Sequence, residues 1–336
     1  MTGQALLQVD QVSRTFVRGR AWPARSRSVV RAVSDVSFSL GAGEVLGLVG
    51  ESGSGKSTLG RMAIRLLQPS SGEVSYDGRA ITHLAELALR PLRRQMQPIF
   101  QDPYNSLNPR MRIGETIAEG IRLHRLAPKA EVADRVAASL KRVGLDPSFG
   151  RRYPKALSGG QRQRVAIARA LSVEPRLVVA DEPVSALDVS IQAEIVDLMR
   201  TLQKNTRLAM LFISHDLRVV HQLADRIAVL YLGHLVEIGA ADRVFTAPAH
   251  PYTEALLDAM PSHPGSPKRR KIILGGELPN PIAPPPGCVF HPRCPYAIAD
   301  CKQAPMKLRP AGNGRMTACI RDDIELQAAV PGVGHG

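Results

Sequence analysis

Val45-Leu46-Gly47-Leu48-Val49-Gly50-Glu51-Ser52-Gly53-Ser54-Gly55-Lys56-Ser57-Thr58-Leu59-Gly60 reads as a buried strand that runs into a glycine-rich turn and then a helix. Gly50 to Ser57 fits the pattern G-x-x-x-x-G-K-S, and each position has a mechanical reason. Gly50, Gly53 and Gly55 lack Cβ, so the backbone can curl with φ > 0 and aim several N–H groups at an anion. The helix starting near Lys56 adds its positive dipole end, and the lysine supplies a cation for the β- and γ-phosphates. Ser57 offers a hydroxyl to Mg²⁺, and Glu51, Ser52, Ser54 and Thr58 complete the phosphate-binding loop. A flexible Gly/Ser turn with a chance lysine is the bland alternative. The apolar strand before the turn and the helical pattern after it argue against that.

Around this loop the chain has 336 residues, enough for one large domain with an appendage or for two domains. Hydrophobic residues make up 44% and charged residues 22%, which suits a folded protein, and no apolar run approaches the ~18 residues needed to span a bilayer. The N-terminal Met-Thr-Gly-Gln-Ala-Leu-Leu-Gln has neither a basic segment nor a long apolar one, so a cytoplasmic protein is expected. A net charge of +14 favours polyanions or an anionic membrane surface as neighbours. Nucleic acid is disfavoured, because aromatic residues are only 4% and do not interleave with the basic ones.

Strand patterns at 6–12 and 32–40 predict an antiparallel lead-in, and residues 18–31, with Arg18, Arg20, Arg25, Arg27 and Arg31 around Pro23, read as an exposed loop. Phe16, at the end of the first strand, either stacks on an adenine base or sits in the core. After the phosphate helix, the apolar strand Met96 to Phe100 ends in Gln101, where an amide can touch both Mg²⁺ and an attacking water. Helical patterns from about 102 to 160 form an inserted subdomain. Ser158 is the expected N-cap of the next helix, and Gly159 and Gly160 again expose N–H groups to an anion.

Leu177-Val178-Val179-Ala180-Asp181-Glu182 is an apolar strand ending in two carboxylates. Continuous apolarity marks burial on both faces, and acids at the carboxyl end of such a strand lie beside the phosphate loop. Asp181 would hold Mg²⁺ and Glu182 would act as general base, with His215, at the end of strand 208–213, steadying the water and Glu182. A last hairpin spans 227–238. The alternation of strands and helices makes the core α/β with a mostly parallel sheet, of the P-loop NTPase kind.

Taken in order, Gly50–Ser57, Gln101, Leu157-Ser158-Gly159-Gly160-Gln161, Asp181-Glu182, Ser185–Asp188 and His215 resemble the nucleotide-binding subunit of an ATP-binding-cassette transporter, over residues 5–255. The Leu-Ser-Gly-Gly-Gln run is the discriminating element. In that family ATP is sandwiched between the phosphate loop of one subunit and this signature of its partner, so the resemblance implies that Ser158, Gly159, Gly160 and Gln161 serve the partner's ATP. Ile99 to Arg110, Tyr231-Leu232-Gly233-His234, His250-Pro251-Tyr252-Thr253, Gly276-Glu277-Leu278-Pro279 and Arg293-Cys294-Pro295 are similar to the oligopeptide/dipeptide importer ATPases. The wording Asn108-Pro109-Arg110-Met111 leans toward the F-type subunit, which pairs with a D-type one. The resemblance implies an ATPase powering peptide import from the cytoplasmic face of the inner membrane. Its partners would be a second ATPase subunit, two transmembrane permease subunits and, indirectly, an extracytoplasmic binding protein. The competing readings are a soluble cassette ATPase acting on nucleic acid or the ribosome, and an importer of another substrate such as nickel chelates.

Residues 256–336 form the expected C-terminal extension. Its cysteines, 288, 294, 301 and 319, argue for one local site over a disulfide framework. Pro279, Pro281, Pro284–Pro286, Pro292 and Pro295 mark a segment that reads as too irregular to fold around an apolar core, so a metal would supply stability. Intervening lengths of five, six and seventeen residues differ from zinc spacing and suit a [4Fe–4S] cluster, to which the family resemblance also points. Zinc is the competing metal, with His291 as a substitute ligand.

Overall fold

A computed structural model describes residues 5–18, 28–102, 106–260 and 279–326. Arg20, Pro23, Arg25 and Arg27 of the arginine-rich segment, Pro103 to Asn105, and Gly276 to Leu278 lie outside the described residues.

Two sheets form the body. The first is antiparallel, in the order β2-β1-β4-β5, from β1 (Leu7–Arg18), β2 (Ser28–Leu40), β4 (Ser71–Tyr76) and β5 (Arg79–Ala80). In the second, β3 (Val45–Val49) pairs in parallel with β8 (Ala209–Ser214) and β9 (Arg226–Tyr231), and β7 (Leu177–Asp181) pairs in parallel with β8 and β6 (Met96–Ile99). On its far edge β9 pairs with β10 (His234–Ala240) antiparallel.

The strand residues alternate between two cores, as period-2 geometry requires. Leu46, Leu48, Leu211 and Ile213 face one core with the antiparallel sheet and α1 (Lys56–Ala63). Val45, Val49, Met210 and Phe212 face the other, against the helical elements. This double burial is why β3 reads Val-Leu-Gly-Leu-Val with no polar position. Its single glycine has a packing reason: a Cβ on Gly47 would lie 2.0 Å from Val220 Cγ1 of α7 (Leu217–His221). The inserted helices α3 (Ile113–Leu123) and α4 (Val132–Arg142) occupy the segment expected to be helical, after the edge helix α2 (Glu86–Gln95). They bury Ile113, Ile117, Ile121, Val136 and Leu140 along one face each, the stripe that 3.6-residue periodicity predicts.

The first hairpin is longer than its sequence pattern indicated. Arg18 pairs with Ser28, Val17 with Val29 and Phe16 with Val30, so Arg31 lies in a strand and not in a loop. The density of arginines masked the β-branched pairs that carry the ladder.

The tail is also more ordered than expected. β12 (Met316–Thr317) pairs with β10, placing Thr317 beside Glu237, and β11 (Arg309–Pro310) adds a further edge strand. Val289 and Phe290 are buried in the core they share with β9 and with α9 (Pro251–Asp258). The segment therefore does fold against an apolar core, the cassette's own. Of its described prolines only Pro310 lies in a strand, the edge strand β11; the others fall outside the strands, where no ladder N–H is needed.

Candidate functional site

Parallel pairing brings the carboxyl ends of β3, β6, β7 and β8 to one edge of the sheet, and the residues that follow each strand meet there. Gly50, Gly53 and Gly55 have φ of 154°, 80° and 103°, so two glycines adopt left-handed backbone at the turn and the third lies close to that limit. A side chain at Gly55 would also strike Ala32 O at 2.2 Å. The loop is buttressed by the β9–β10 turn, whose Gly233 N–H donates to Ser54 O at 2.9 Å. Lys56 is buried; its Nζ donates to Gly50 O at 2.7 Å and Glu51 O at 2.9 Å, and stands 3.9 Å from Glu182 Oε1. Burial pulls its pKa below the usual lysine range, against the opposing pull of Glu182, Asp181 and Glu51.

Ser57 Oγ donates to Asp181 Oδ1 at 2.7 Å, and Asp181 is only 6% exposed. Burial raises this carboxyl above the usual range, opposed by the Ser57 hydrogen bond. A desolvated carboxylate touching a hydroxyl is a donor pair that suits a hard divalent cation. Gln101 Nε2 donates to Glu182 Oε2 at 2.9 Å, and His215 Nδ1 lies 3.6 Å from that same oxygen. Glu182 has φ 47°, in the left-handed region that costs a non-glycine residue ~1–3 kcal/mol, and its N–H is anchored on Ile213 O at 2.9 Å. The turn aims its carboxylate back over the phosphate loop.

A cleft of about 260 Å³ opens over these groups. It is lined by Ser52, Gly53, Gly55, Lys56, Ser57, Thr58, Gln101 and Glu182, and by Val30, Arg31, Ala32, Leu232, Gly233 and Pro281. The second set comes from β2, the β9–β10 turn and the tail; Leu232 and Gly233 stood out in the sequence only for family resemblance and Arg31 and Pro281 only as loop residues, none as lining the site. Phe16 is half-buried and faces Val30 across the ladder, with the Arg14 guanidinium 4.8 Å from its ring centre, so the alternative of a core phenylalanine is wrong.

Ser158, Gly159, Gly160 and Gln161 do not line this cleft. They begin α5 (Gly159–Leu171) with a capping box: Gln161 N–H donates to Ser158 Oγ at 3.3 Å and Ser158 N–H to Gln161 Oε1 at 3.1 Å. Because Ser158 Oγ accepts in this box, its own proton is left to donate outward, beside the free N–H groups of the first helical turn. Gly160 is buried against α6 (Val189–Thr206), where a Cβ would lie 2.6 Å from Ile191 Cγ2.

Sequence reasoning missed how the loop is held from behind. Arg293 Nη1 and Nη2 donate to the two carboxylate oxygens of Glu51 at 2.8 and 3.1 Å, and Glu51 N–H donates to Tyr252 Oη at 2.9 Å. Both partners lie in stretches singled out for resemblance, His250–Thr253 and Arg293–Pro295, but nothing local connects them to the loop.

Cys288, Cys294, Cys301 and Cys319 are free thiols that line one small pocket of about 10 Å³, with His250, Phe290, His291 and Tyr296. His291 Nδ1 is engaged with Cys288 O at 2.9 Å. Burial pushes the Cys294 thiol up to about 12 and also raises Cys288 and Cys319. Among the described residues no three His, Cys, Asp or Glu ligands gather closely enough to hold a single ion.

Comparison with known proteins gives consistent matches. Residues 33–185 match the family described as ABC transporter, and residues 236–301 match the oligopeptide/dipeptide transporter C-terminal region. A Brucella ovis protein is 50% identical over 309 residues, 92% of this chain and 98% of its own length. The oligopeptide transport ATP-binding protein AppF of Bacillus subtilis is 47% identical over 319 residues, 94% of this chain and 97% of its own. The solved ATP-binding cassette MJ0796, a dimer in a post-hydrolysis state with ADP and phosphate, superimposes with TM-score 0.63 at 30% identity, over 70% of this chain and 98% of that one.

Proposed function

The chain belongs to the ATP-binding subunits of oligopeptide/dipeptide-type ABC transporters, and on that premise we propose that it hydrolyses ATP to drive peptide import. The observation that carries this is the meeting of Lys56, Ser57, Gln101, Asp181 and Glu182 at one sheet edge, four of them lining the cleft and Asp181 bonded to Ser57. The phosphate loop and the helix dipole bind the triphosphate, and Lys56 leaves its backbone carbonyls to neutralise the β- and γ-oxygens. Ser57, Asp181 and Gln101 would hold Mg²⁺, which supplies charge neutralisation at the transferring group. Glu182 takes the proton of the attacking water as the water oxygen bonds to the γ-phosphorus and the bond to ADP breaks. Gln101 and His215 orient that carboxylate and the water, and Phe16 stacks on the adenine.

Ser158, Gly159, Gly160 and Gln161 serve the γ-phosphate bound by a second ATPase subunit, a D-type partner for this F-type chain. Closure of the pair pushes on two permease subunits supplied by an extracytoplasmic binding protein. Residues 1–255 make the cassette and 256–336 the extension. The described residues contain no helix long and apolar enough to cross a membrane. In this reading the chain attaches peripherally to the cytoplasmic face of the inner membrane, through the permease. Asp102 to Arg112, which joins Gln101 to the helical insertion, is the coupling segment. Co-purification with permease subunits and peptide-dependent ATPase activity in proteoliposomes test this; activity stimulated by nucleic acid without any membrane partner would overturn it.

A second reading concerns the tail. Four thiols lining one pocket, at intervening lengths of five, six and seventeen residues, support a [4Fe–4S] cluster over zinc, whose sites use shorter paired spacings. Cys288, Cys294, Cys301 and Cys319 would hold it, and it would supply stability to the extension. Anaerobic purification with iron and sulfide analysis checks this; a colourless protein with one equivalent of zinc would end it.

A further inference from the structure

The tail and the phosphate loop meet at one ion pair between residues 242 positions apart. Arg293 grips Glu51 through both carboxylate oxygens, with its own side chain 6% exposed and that of Glu51 26% exposed. The bidentate fork fixes direction as well as distance, and its burial limits salt screening. Glu51 is held at two further atoms: its N–H by Tyr252 Oη and its carbonyl by Lys56 Nζ, each at 2.9 Å. Lys56, which must reach the phosphates, is therefore bonded to the residue that Arg293 holds. The rear of the pair is stiff, because Arg293 also reaches Tyr231 Oη at 3.4 Å and the rings of Tyr231, Tyr252 and Phe290 pack with centroids 4.6 to 5.4 Å apart.

Resting on the ATP-site reading above, we propose that Arg293 is a positioning residue for nucleotide binding, acting through Glu51. Two effects follow from its geometry. It holds the Glu51 peptide so that the loop does not collapse around the buried ammonium of Lys56. It also neutralises the carboxylate of a loop residue that adjoins Ser52 of the cleft lining, and so lessens the repulsion of a ligand carrying several negative charges. The extension is thus part of the ATP site, and any disturbance of the platform behind Arg293 is felt in nucleotide affinity.

The test is a double-mutant cycle on the full chain, reading the Kd of a fluorescent, slowly hydrolysed ATP analogue together with KM and kcat. Arg293→Met should weaken binding about tenfold and raise KM, with kcat at saturating ATP little changed. In a Glu51→Gln background the same substitution should cost less than about twofold, because the charge it leaves unpaired is gone. Arg293→Lys, which keeps the charge but not the fork, should fall between. Equal losses in both backgrounds, or none in either, would overturn the proposal, since a general loss of tail stability would not depend on Glu51. If Arg293→Met does not fold, Arg293→Lys in the two backgrounds supplies the same comparison. Lys56→Ala separates the readings: if it too leaves binding intact, the ATP-site assignment has failed, and if it alone abolishes binding, only the role of Arg293 has.

Discussion

Gln101 Nε2 and Glu182 Oε2 are 2.9 Å apart, so the amide that follows β6 and the carboxylate that follows β7 are directly hydrogen-bonded. The two strands are parallel neighbours, with Ile99 beside Ala180, and each ends one or two residues before its functional side chain. The orientation of the proposed base thus depends on strand register. We expect Gln101→Ala to lower kcat about tenfold or more while leaving the Kd for Mg-ATP within about twofold. Single-turnover kinetics on the purified chain measure this, and an unchanged chemical step would show the hydrogen bond to be packing alone.

Glu182→Gln keeps the side-chain volume and the hydrogen-bonding edge but cannot take a proton. It should bind ATP normally and hydrolyse it at least about a hundredfold more slowly, accumulating the closed dimer. Lys56→Ala, which removes the buried ammonium 3.9 Å from Glu182, should instead lose nucleotide affinity. Size-exclusion chromatography with ATP, alongside equilibrium binding, distinguishes them; near-normal turnover by both variants would refute the assignment.

Gly47→Ala tests the packing that seats β3. Its Cβ would fall 2.0 Å from Val220 Cγ1, and neither the central strand nor α7 can yield freely. Overpacking of this kind costs about 1–3 kcal/mol, a loss of several degrees in Tm. Adding Val220→Ala should restore part of that loss, which thermal unfolding would reveal; a double variant no more stable than Gly47→Ala would place the clash elsewhere.

Glu237 on β10 is fully buried, accepts N–H groups from Ala249 at 2.8 Å and His250 at 3.0 Å, and lies near the Arg315 charge. Burial pushes its carboxyl up to about 7 from 4.5. A raised folded-state pKa means that the proton is held more tightly in the fold. The resulting stability is complete below about 4.5 and is lost as pH rises through about 7. Relative to Glu237→Gln, the unsubstituted chain should therefore lose roughly 3 kcal/mol across that window. The glutamine variant carries a constant penalty for one unpaired N–H, so the slope and not the offset is the readout. Denaturant midpoints taken at several pH values check it, and parallel profiles would show that Glu237 is ionised in the fold.

The sequence by itself determined the strand, loop and helix around Lys56, the acids that close β7, the N-cap at Ser158 and the α/β order of the core. Each is encoded within a few residues: glycines where the backbone must turn, alternating or continuous apolarity where a strand is buried, an oxygen-bearing side chain where a helix begins. Tertiary structure decided what lies beyond that range. Arg293 is one of 44 basic residues and Glu51 one of 30 acidic ones, and only chain closure over 242 positions selects that pairing. The arginine-rich end of the first hairpin hid its strand because charge was conspicuous and the ladder partners of Phe16 and Val17 were not. The tail looked coreless because its apolar residues are few; Val289 and Phe290 suffice once they share a core built by the cassette, and two short strands suffice once β10 offers an open edge. Local periodicity reports which face a residue turns inward, and carries no record of which distant segment will cover it.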